Sequence, residues 1–345
     1  MPEQNFVKKN ILITGGAGFI GAHLCERLLK DGHHIICLDN FSTSQVRNID
    51  PLLANPEFQF LRLDVTQPFD LERYSELSAF KIPFQGIQEI YHLACPTTIK
   101  KFDDFKIQTL LANSVGNYHV LEIAKKYKSK ILLGSSSVVY GTRQGDDHYV
   151  AETDQGVVNH LSPRACYDEG KRFSETMFET YRQAHGVDAK IARIFRTYGP
   201  KMPLFDGHLI PDFILNALDN KDLVIYGKEE FRTSLVYVAD VVDGLIRLMG
   251  APAGLGPVNI GSDVDLQVDT VAKKIIAMTG STSKIVHEAE LPFLSELALP
   301  RIAKAKELGW LPLVRLEDGL SNTIDYLKAN RLLMEAAWTP TVPAE

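Results

Sequence analysis

The chain has 345 residues, which is long for one domain and short for three, so its length suits a large domain with a smaller companion. Hydrophobic residues make up 45% of the chain and charged residues 23%, the ordinary balance of a globular protein. The formal net charge of −6 excludes a basic surface able to hold nucleic acid or an anionic membrane.

The use of cysteine indicates a reducing compartment. Four cysteines are scattered along the chain, without a CxxC pair and without the clustering with histidine that a metal site needs. The N-terminal segment is polar and lacks the apolar core of a signal peptide, and no stretch approaches the roughly 20 apolar residues of a membrane span. We therefore expect a soluble, cytoplasmic protein with no disulfide, no metal and no membrane partner.

The first half of the chain alternates short apolar runs with segments of helical periodicity. An apolar run at 10–14 ends in glycines, a helical pattern follows over 18–30, and a second apolar run covers 34–38. This order predicts the opening unit of an α/β fold of the Rossmann type, with a doubly wound parallel sheet covered on both faces. Further predicted strands are 58–63, 89–93, 130–133 and 189–195, and further predicted helices are 104–126 and 165–185.

The glycine-rich loop Gly15–Gly21 stands where the first predicted strand passes to the first helix. Glycines there allow a tight turn and let a pyrophosphate approach the amides at the helix N-terminus, although an ordinary turn is the alternative. Asp39 at the end of the second strand can accept the ribose hydroxyls of adenosine and would repel the extra phosphate of NADP, which favours NAD. Asp64 is either an adenine contact or a solvated strand end. The predicted cofactor contacts are Gly15, Gly18, Phe19, Ile20, Asp39, Asn40, Asp64, Val65, Leu93, Ala94, Tyr167 and Lys171.

Tyr167 and Lys171 are four residues apart on a predicted helix, so they share one face. A phenol is a poor base at neutral pH, and a neighbouring ammonium stabilises the phenolate and lowers its pKa. Lowering that pKa from about 10 to about 7 takes roughly 4 kcal/mol, to which Lys171 and the charge of the nicotinamide can contribute. The serines Ser135–Ser137 follow a predicted strand, where a hydroxyl either points into the ligand crevice or closes a turn.

The regular alternation of predicted strands and helices ends after Thr197, where glycines and prolines are frequent and the predicted elements are shorter. Residues 250–261 are rich in glycine and proline and predict a connector. We expect 1–196 to form the NAD-binding Rossmann domain and 197–335 to form mainly a substrate-binding domain, with some segments returning to the core. Residues 336–345 are expected to be a flexible tail.

These motifs together resemble the extended short-chain dehydrogenase/reductase family, over residues 8–330. The resemblance rests on the glycine loop, the serines before Val139-Tyr140-Gly141, the pair Tyr167-xxx-Lys171, and the stretch 193–200. It implies that Ser136 and Tyr167 are catalytic, with Lys171 as partner of the tyrosine. It also implies a homodimer that pairs the helices 104–126 and 165–185.

Within the family, the stretches 92–96, 166–172 and 304–310 resemble the UDP-glucuronate decarboxylases, or UDP-xylose synthases. The third is shared more widely and is expected to pack around Trp310, and Asn113 is expected to order the active-site helix. The resemblance implies that Tyr167 takes the proton of the sugar 4-hydroxyl, held by Ser136, as hydride leaves C4 for NAD. The resulting 4-ketone makes the C6 carboxylate a β-keto acid, which loses carbon dioxide before hydride returns.

Several positions depart from the decarboxylase pattern. Val138 stands where the decarboxylases and the 4,6-dehydratases carry glutamate, so dehydration is not expected. Arg196 replaces an asparagine and is either a surface arginine or a relocated clamp for carboxylate or phosphate. An expected arginine at Thr233 looks displaced to Arg232. The two remaining departures are Ala298 for an arginine and Leu111 for a lysine.

Three functions are weighed on this basis. The first is NAD-dependent decarboxylation of a nucleotide hexuronate resembling UDP-glucuronate, with internal recycling of NAD. The second is a nucleotide-sugar 4-epimerase, because epimerases commonly have a small or apolar residue at the position of Val138. The third is an NAD-binding regulatory protein without turnover, which the intact Ser136, Tyr167 and Lys171 argue against. The predicted substrate contacts are Pro96, Thr97, Asn113, Ser137, Val138, Arg196 and Arg232.

Overall fold

Strands and helices alternate in the computed structural model, which describes residues 8–98, 102–141, 148–204, 206–227, 231–289 and 298–336. The strands are β1 Asn10–Thr14, β2 His34–Asp39, β3 Phe58–Arg62, β4 Glu89–His92, β5 Lys130–Ser136, β6 Tyr149–Val150, β7 Asp188–Ile194, β8 Thr197–Tyr198, β9 Leu223–Tyr226, β10 Arg232–Thr233, β11 Val236–Tyr237, β12 Pro257–Ile260, β13 Leu266–Gln267, β14 Ile285–Glu288 and β15 Leu299–Pro300. The helices are α1 Phe19–Lys30, α2 Ile82–Gln85, α3 Lys106–Leu111, α4 Asn117–Tyr127, α5 Ala165–His185, α6 Leu209–Leu218, α7 Val238–Gly250, α8 Val268–Thr279, α9 Ala303–Glu307 and α10 Leu316–Ala336.

Seven parallel strands form the central sheet in the order β12-β7-β5-β4-β1-β2-β3. The strand order reverses at β1, which pairs with β2 on one side and with β4 on the other. Sheets of this kind bind ligands in the crevice outside the carboxyl ends of the strands at such a reversal. The predicted Rossmann-type α/β fold is confirmed.

Both faces of the sheet are buried, which is why its strands are apolar without alternation. Ile11 and Ile13 of β1 pack with residues of α1 and α7 on one face. Leu12 packs with residues of α4 and α5 on the other face. A third apolar cluster joins α6, α8 and α10, all of which follow Thr197 in the chain.

The structure corrects the prediction that 250–261 is a connector. Pro257–Ile260 is β12, which pairs with β7 at the edge of the sheet, and Val258 is fully buried. Proline is tolerated at the first residue of an edge strand because no ladder hydrogen bond from its nitrogen is required there. The helix α7 also packs on this sheet. Segments after Thr197 therefore complete the Rossmann core.

The structure also bears on what the sequence predicted for Trp310, the four cysteines, membrane spans and metal sites. Trp310 is buried and its Nε1 donates to the carbonyl of Asp240 at 2.9 Å, so the predicted packing role is confirmed. The four cysteines are all free. Among the described residues no helix is long and apolar enough to cross a membrane, and no histidine, cysteine and carboxylate group is arranged to hold a metal. The predicted tail falls almost wholly on 337–345, outside the described residues.

Candidate active site

A cleft of about 440 Å³ lies at the carboxyl ends of β1, β4, β5 and β7. Most of the residues predicted from the sequence line it, which brings together segments from the glycine loop to Arg196. Those lining it are Gly15, Gly18, Phe19, Ile20, Asp39, Asn40, Asp64, Val65, Leu93, Ala94, Pro96, Thr97, Ser136, Ser137, Val138, Tyr167, Lys171 and Arg196. Asn113 and Arg232 lie outside this lining.

The glycine loop leaves no room for side chains. Gly15 has φ +70°, and a Cβ there would lie 2.8 Å from the backbone nitrogen of Ala94. A Cβ on Gly21 would lie 2.1 Å from the carbonyl oxygen of Gly15, so α1 begins directly against the loop. The free amides at the start of α1 and this bare backbone surface fit a pyrophosphate.

Asp39 and Asp64 line the cleft at the carboxyl ends of β2 and β3, whereas Tyr167 lies on α5, which packs on β5. Asp39 accepts hydrogen bonds from the amides of Ala17 at 3.0 Å and Phe41 at 2.9 Å, and from Ser44 Oγ at 2.7 Å. These donors fix its carboxylate at the end of β2 and leave part of its acceptor capacity unused. Burial acts to raise the pKa of Asp64, but hydrogen bonds from Thr66 and Asn40 outweigh it and lower that pKa.

The proposed catalytic residues meet where β5 ends beside the first turns of α5. Tyr167 and Ser136 both line the cleft, and the Ser136 hydroxyl acts to lower the pKa of the Tyr167 phenol. Lys171 is buried, its Nζ lies 6.0 Å from the centre of the Tyr167 ring, and it donates to the carbonyl of Gly134 at 2.9 Å. The predicted shared face of the helix is thus observed, and the lysine is held in place by the sheet.

Burial raises the pKa of the Tyr167 phenol, and the thiol of Cys95 acts in the same direction. The hydrogen bond from Ser136 and the charge of Arg164 oppose this effect without reversing it. In the protein alone the phenol is therefore protonated at neutral pH. A lowered pKa requires a further positive charge in the cleft, as a bound nicotinamide would provide.

A chain of buried polar groups supports the wall behind Lys171. His92 Nε2 donates to Asn117 Oδ1 at 2.9 Å, and its Nδ1 accepts from Thr14 Oγ1 at 2.6 Å. Burial, followed by the charge of Lys171, lowers the pKa of His92 to about 3, so the imidazole is neutral. The Asn117 amide donates to Ser174 Oγ at 2.8 Å, which joins this chain to α5.

Asn113 belongs to the same support and does not contact the cleft. It is buried in a π-helical turn at Ala112–Gly116, between α3 and α4. Its Nδ2 donates to the carbonyl of Thr109 at 2.8 Å and to Cys95 Sγ at 3.1 Å, and its Oδ1 accepts from Ser174 Oγ at 3.0 Å. These bonds agree with the expectation that Asn113 orders the active-site helix, whereas its predicted contact with the substrate stays a prediction.

A buried ion pair that was not predicted from the sequence lies beside β5. Glu175 of α5 accepts from Arg193 Nη2 at 2.7 Å and from Ser135 Oγ at 2.6 Å. Arg193 also donates to the hydroxyl of Tyr140 at 2.9 Å. An arginine inside the apolar strand β7 was the signal, since a charge there needs a buried partner.

Arg232 does not reach the cleft. Its Nε pairs with Asp265 Oδ2 at 2.6 Å, while the next residue, Thr233, is buried on the other side of the short strand β10. Arg232 and Thr233 nevertheless both line a smaller pocket beside the cleft, together with Ser137 and Arg196. Val138, by contrast, is buried in the cleft wall and brings no carboxylate there.

The NAD dependent epimerase/dehydratase family has a model that matches residues 11–261. The chain belongs to this family. Solved structures of similar proteins superpose on most of this chain. One such structure is UDP-glucuronic acid 4-epimerase from Bacillus cereus, solved with UDP-glucuronic acid and NAD. It is 28% identical, with a TM-score of 0.78 over 93% of this chain and 99% of that chain.

Other members of the family are similar along most of the sequence. UDP-glucuronic acid decarboxylase 1 from Xenopus tropicalis is 38% identical over 93% of this chain and 72% of its own length. UDP-glucuronic acid decarboxylase 3 from Arabidopsis thaliana is 37% identical over 90% of this chain and 86% of its own length. The family establishes NAD as the cofactor, in agreement with the prediction from the glycine loop and Asp39.

Proposed function

We propose that the chain catalyses NAD-dependent decarboxylation of a nucleotide hexuronate of the UDP-glucuronate kind. The observation that supports it most directly is the half-buried Tyr167, which lines the cleft with Ser136 and has Lys171 behind it, in a chain 38% identical to a UDP-glucuronic acid decarboxylase. Oxidation of the C4 carbinol gives a ketone β to the C6 carboxylate. A β-keto acid of this kind loses carbon dioxide, which gives the reaction class.

NAD is held, in this proposal, along the carboxyl ends of β1, β2 and β4. The glycine loop and the start of α1 receive the pyrophosphate, Asp39 the adenosine ribose, and Asp64 with Val65 the adenine side. Lys171 and Tyr167 lie at the nicotinamide end of the cleft. When bound, NAD supplies a hydride acceptor and donor for C4 of the sugar.

Tyr167 and Ser136 together hold the C4 oxygen of the sugar. Tyr167 accepts the proton of the 4-hydroxyl when the carbinol is oxidised. The ammonium of Lys171 stabilises the negative charge of the phenolate that takes up this proton. When the C5–C6 bond breaks and carbon dioxide leaves, the electron pair collects as an enolate on the same oxygen, next to these two hydroxyls. A proton from water then adds to C5 and restores the 4-ketone, and Tyr167 returns its own proton to O4 when that ketone is reduced.

A second candidate, 4-epimerisation of a nucleotide uronate, is favoured by one observation. Val138 is buried in the cleft wall, so the described cleft holds no carboxylate at the position where the decarboxylases carry glutamate. An epimerase needs only the hydroxyl and ammonium groups, together with rotation of the 4-ketone. The similarity to a UDP-glucuronic acid 4-epimerase agrees with this alternative.

Mass spectrometry of the products separates the two candidates. The NAD-loaded protein is incubated with UDP-glucuronate, and loss of carbon dioxide is expected. A product of unchanged mass with an inverted C4 proton by NMR would establish the epimerase instead. Tyr167→Phe should lower turnover about a hundredfold or more while leaving NAD binding intact. Retention of activity in that variant would remove Tyr167 from the mechanism.

We also infer that two copies of the chain pair through α3, α4 and α5. These helices pack side by side, and they leave large apolar side chains exposed. Ile107 is 65% exposed, Tyr118 50% and Phe173 51%, which is a large apolar area for adjacent helices. The proposal includes a reducing, cytosolic location for the four free cysteines and a substrate-binding role for the part after Thr197 that does not complete the sheet.

A further inference from the structure

Three departures from the decarboxylase pattern meet in one place. Arg196, Thr233 and Ala298 line a small pocket beside the main cleft, although they are far apart in the sequence. Arg232 also lines this pocket, but its charge is paired with Asp265. Two of these positions, 233 and 298, were expected to carry arginine, and the third was expected to carry asparagine. The changes are therefore neighbours in space, and the charge lost at two positions is partly restored at the third.

The side chain of Arg196 reaches the position where the missing arginine was expected. Its Nη1 donates to Thr233 Oγ1 at 3.0 Å, and its guanidinium carbon lies 6.0 Å from the centre of the Phe231 ring. Arg196 follows β7, whereas Thr233 lies on β10. The guanidinium of Arg196 thus lies beside the shorter side chain of Thr233 on β10.

The charge of Arg196 has no counter-charge among the described residues. Burial, followed by the charge of Arg164, lowers its pKa to about 10, and no carboxylate offsets this effect. The neighbouring cations differ, because Arg232 pairs with Asp265 at 2.6 Å and Lys201 with Glu26 at 3.2 Å. A guanidinium taken out of water without an anionic partner is unfavourable, and an anionic ligand relieves this.

We propose that Arg196 binds an oxyanion of the substrate and replaces the arginines expected at positions 233 and 298. The planar guanidinium suits the two oxygens of a carboxylate or of a phosphate, and Arg196 lines the same cleft as Tyr167 and Ser137. The inference rests on the proposed function, since a nucleotide hexuronate offers both a diphosphate and a C6 carboxylate.

Calorimetric titration of the NAD-loaded protein tests this role. UDP, UDP-glucose and UDP-glucuronate are titrated into wild type and Arg196→Gln, whose folding is checked by NAD binding and thermal melting. We expect affinity to fall about tenfold or more. Loss for UDP-glucuronate alone assigns Arg196 to the carboxylate, and equal loss for all three assigns it to the diphosphate. Arg232→Gln is titrated in parallel, because Arg232 lines the same small pocket. Unchanged affinity of Arg196→Gln for all three ligands overturns the proposal, whether or not Arg232→Gln binds more weakly.

Transfer of the guanidinium from position 196 to position 233 provides a second measurement. Arg196→Asn combined with Thr233→Arg should recover most of the affinity that Arg196→Asn loses, because the guanidinium returns to the same pocket from the other strand. A double variant as weak as the single one would overturn the relocation. Arg247→Gln, an exposed arginine paired with Asp243, controls for loss of overall charge.

The two hypotheses fail in different ways. If the wild type leaves UDP-glucuronate chemically unchanged, the proposed function fails, while the titrations with UDP and UDP-glucose still decide whether Arg196 binds an anion. If turnover is observed but no variant of Arg196 changes affinity, only the present inference fails.

Discussion

Removal of the charge of Glu175 tests how the wall of the cleft is stabilised. Its carboxylate receives two hydrogen bonds from Arg193, from Nε at 3.0 Å and from Nη2 at 2.7 Å. The Glu175 side chain is only 13% exposed and that of Arg193 only 11%. Burial acts to lower the pKa of Arg193, but Glu175 outweighs it and raises that pKa, so the guanidinium stays charged. Glu175→Gln keeps the shape and leaves this charge uncompensated.

The expected loss of stability follows from this burial. Removing one partner of a buried pair costs about 3–5 kcal/mol, and the slight exposure of both side chains places this pair near the lower value. A loss of about 3 kcal/mol lowers Tm by roughly 4 °C, because a melting entropy of about 2.1 cal/mol/K per residue gives about 1.4 °C per kcal/mol for 345 residues. Thermal melting followed by circular dichroism measures the shift.

A glutamate on the same helix provides the matched control. Glu179 pairs with Arg182 at 2.7 Å, but the side chains are 41% and 35% exposed, so Glu179→Gln should lower Tm much less than Glu175→Gln. The double variant Glu175→Met with Arg193→Met should recover much of the loss, because no unpaired charge is left buried. Equal Tm values for Glu175→Gln and Glu179→Gln would refute the reasoning.

Three further predictions concern the cofactor loop, the buried histidine and the subunit contact. Gly21→Ala should abolish NAD binding measured by fluorescence titration, because its Cβ would lie 2.1 Å from Gly15 O, whereas Gly250→Ala, with open space around it, should bind normally. His92 has a pKa of about 3 instead of its ordinary 6.5, so the unfolded chain takes up a proton first and stability should fall as pH drops below about 6.5. His92→Gln should flatten that acid-side slope of Tm, and an unchanged slope would contradict the assignment. Phe173→Glu should shift sedimentation velocity from dimer to monomer, and a wild type already monomeric would disprove the pairing.

Local patterns allowed most of the fold to be predicted. The helix predicted at 165–185 is observed as Ala165–His185, because its periodicity and its closing Gly186 are local signals. The strand β12 was missed because its four residues stand between glycines and prolines, and its place at the edge of the sheet depends on β7. Short strands at a sheet edge leave little trace in a single sequence.

The site was predictable where one element supplies the geometry. The spacing of Tyr167 and Lys171 on one helix was sufficient to place them together. The pair of Glu175 with Arg193 was not, since it joins a helix to a strand. Nor was the contact of Arg196 with Thr233, since these residues are 37 positions apart and meet only through the tertiary fold.

The π-helical turn Ala112–Gly116 constrains the length of its helix. A turn of this type contains one residue more than a regular α-helix, so it rotates the following residues by about 100°. Deleting a single residue there would restore a regular helix and turn Asn117 away from His92, breaking their 2.9 Å hydrogen bond. Shortening of this turn is thus not tolerable, and insertions and deletions in related chains should be absent between 112 and 117.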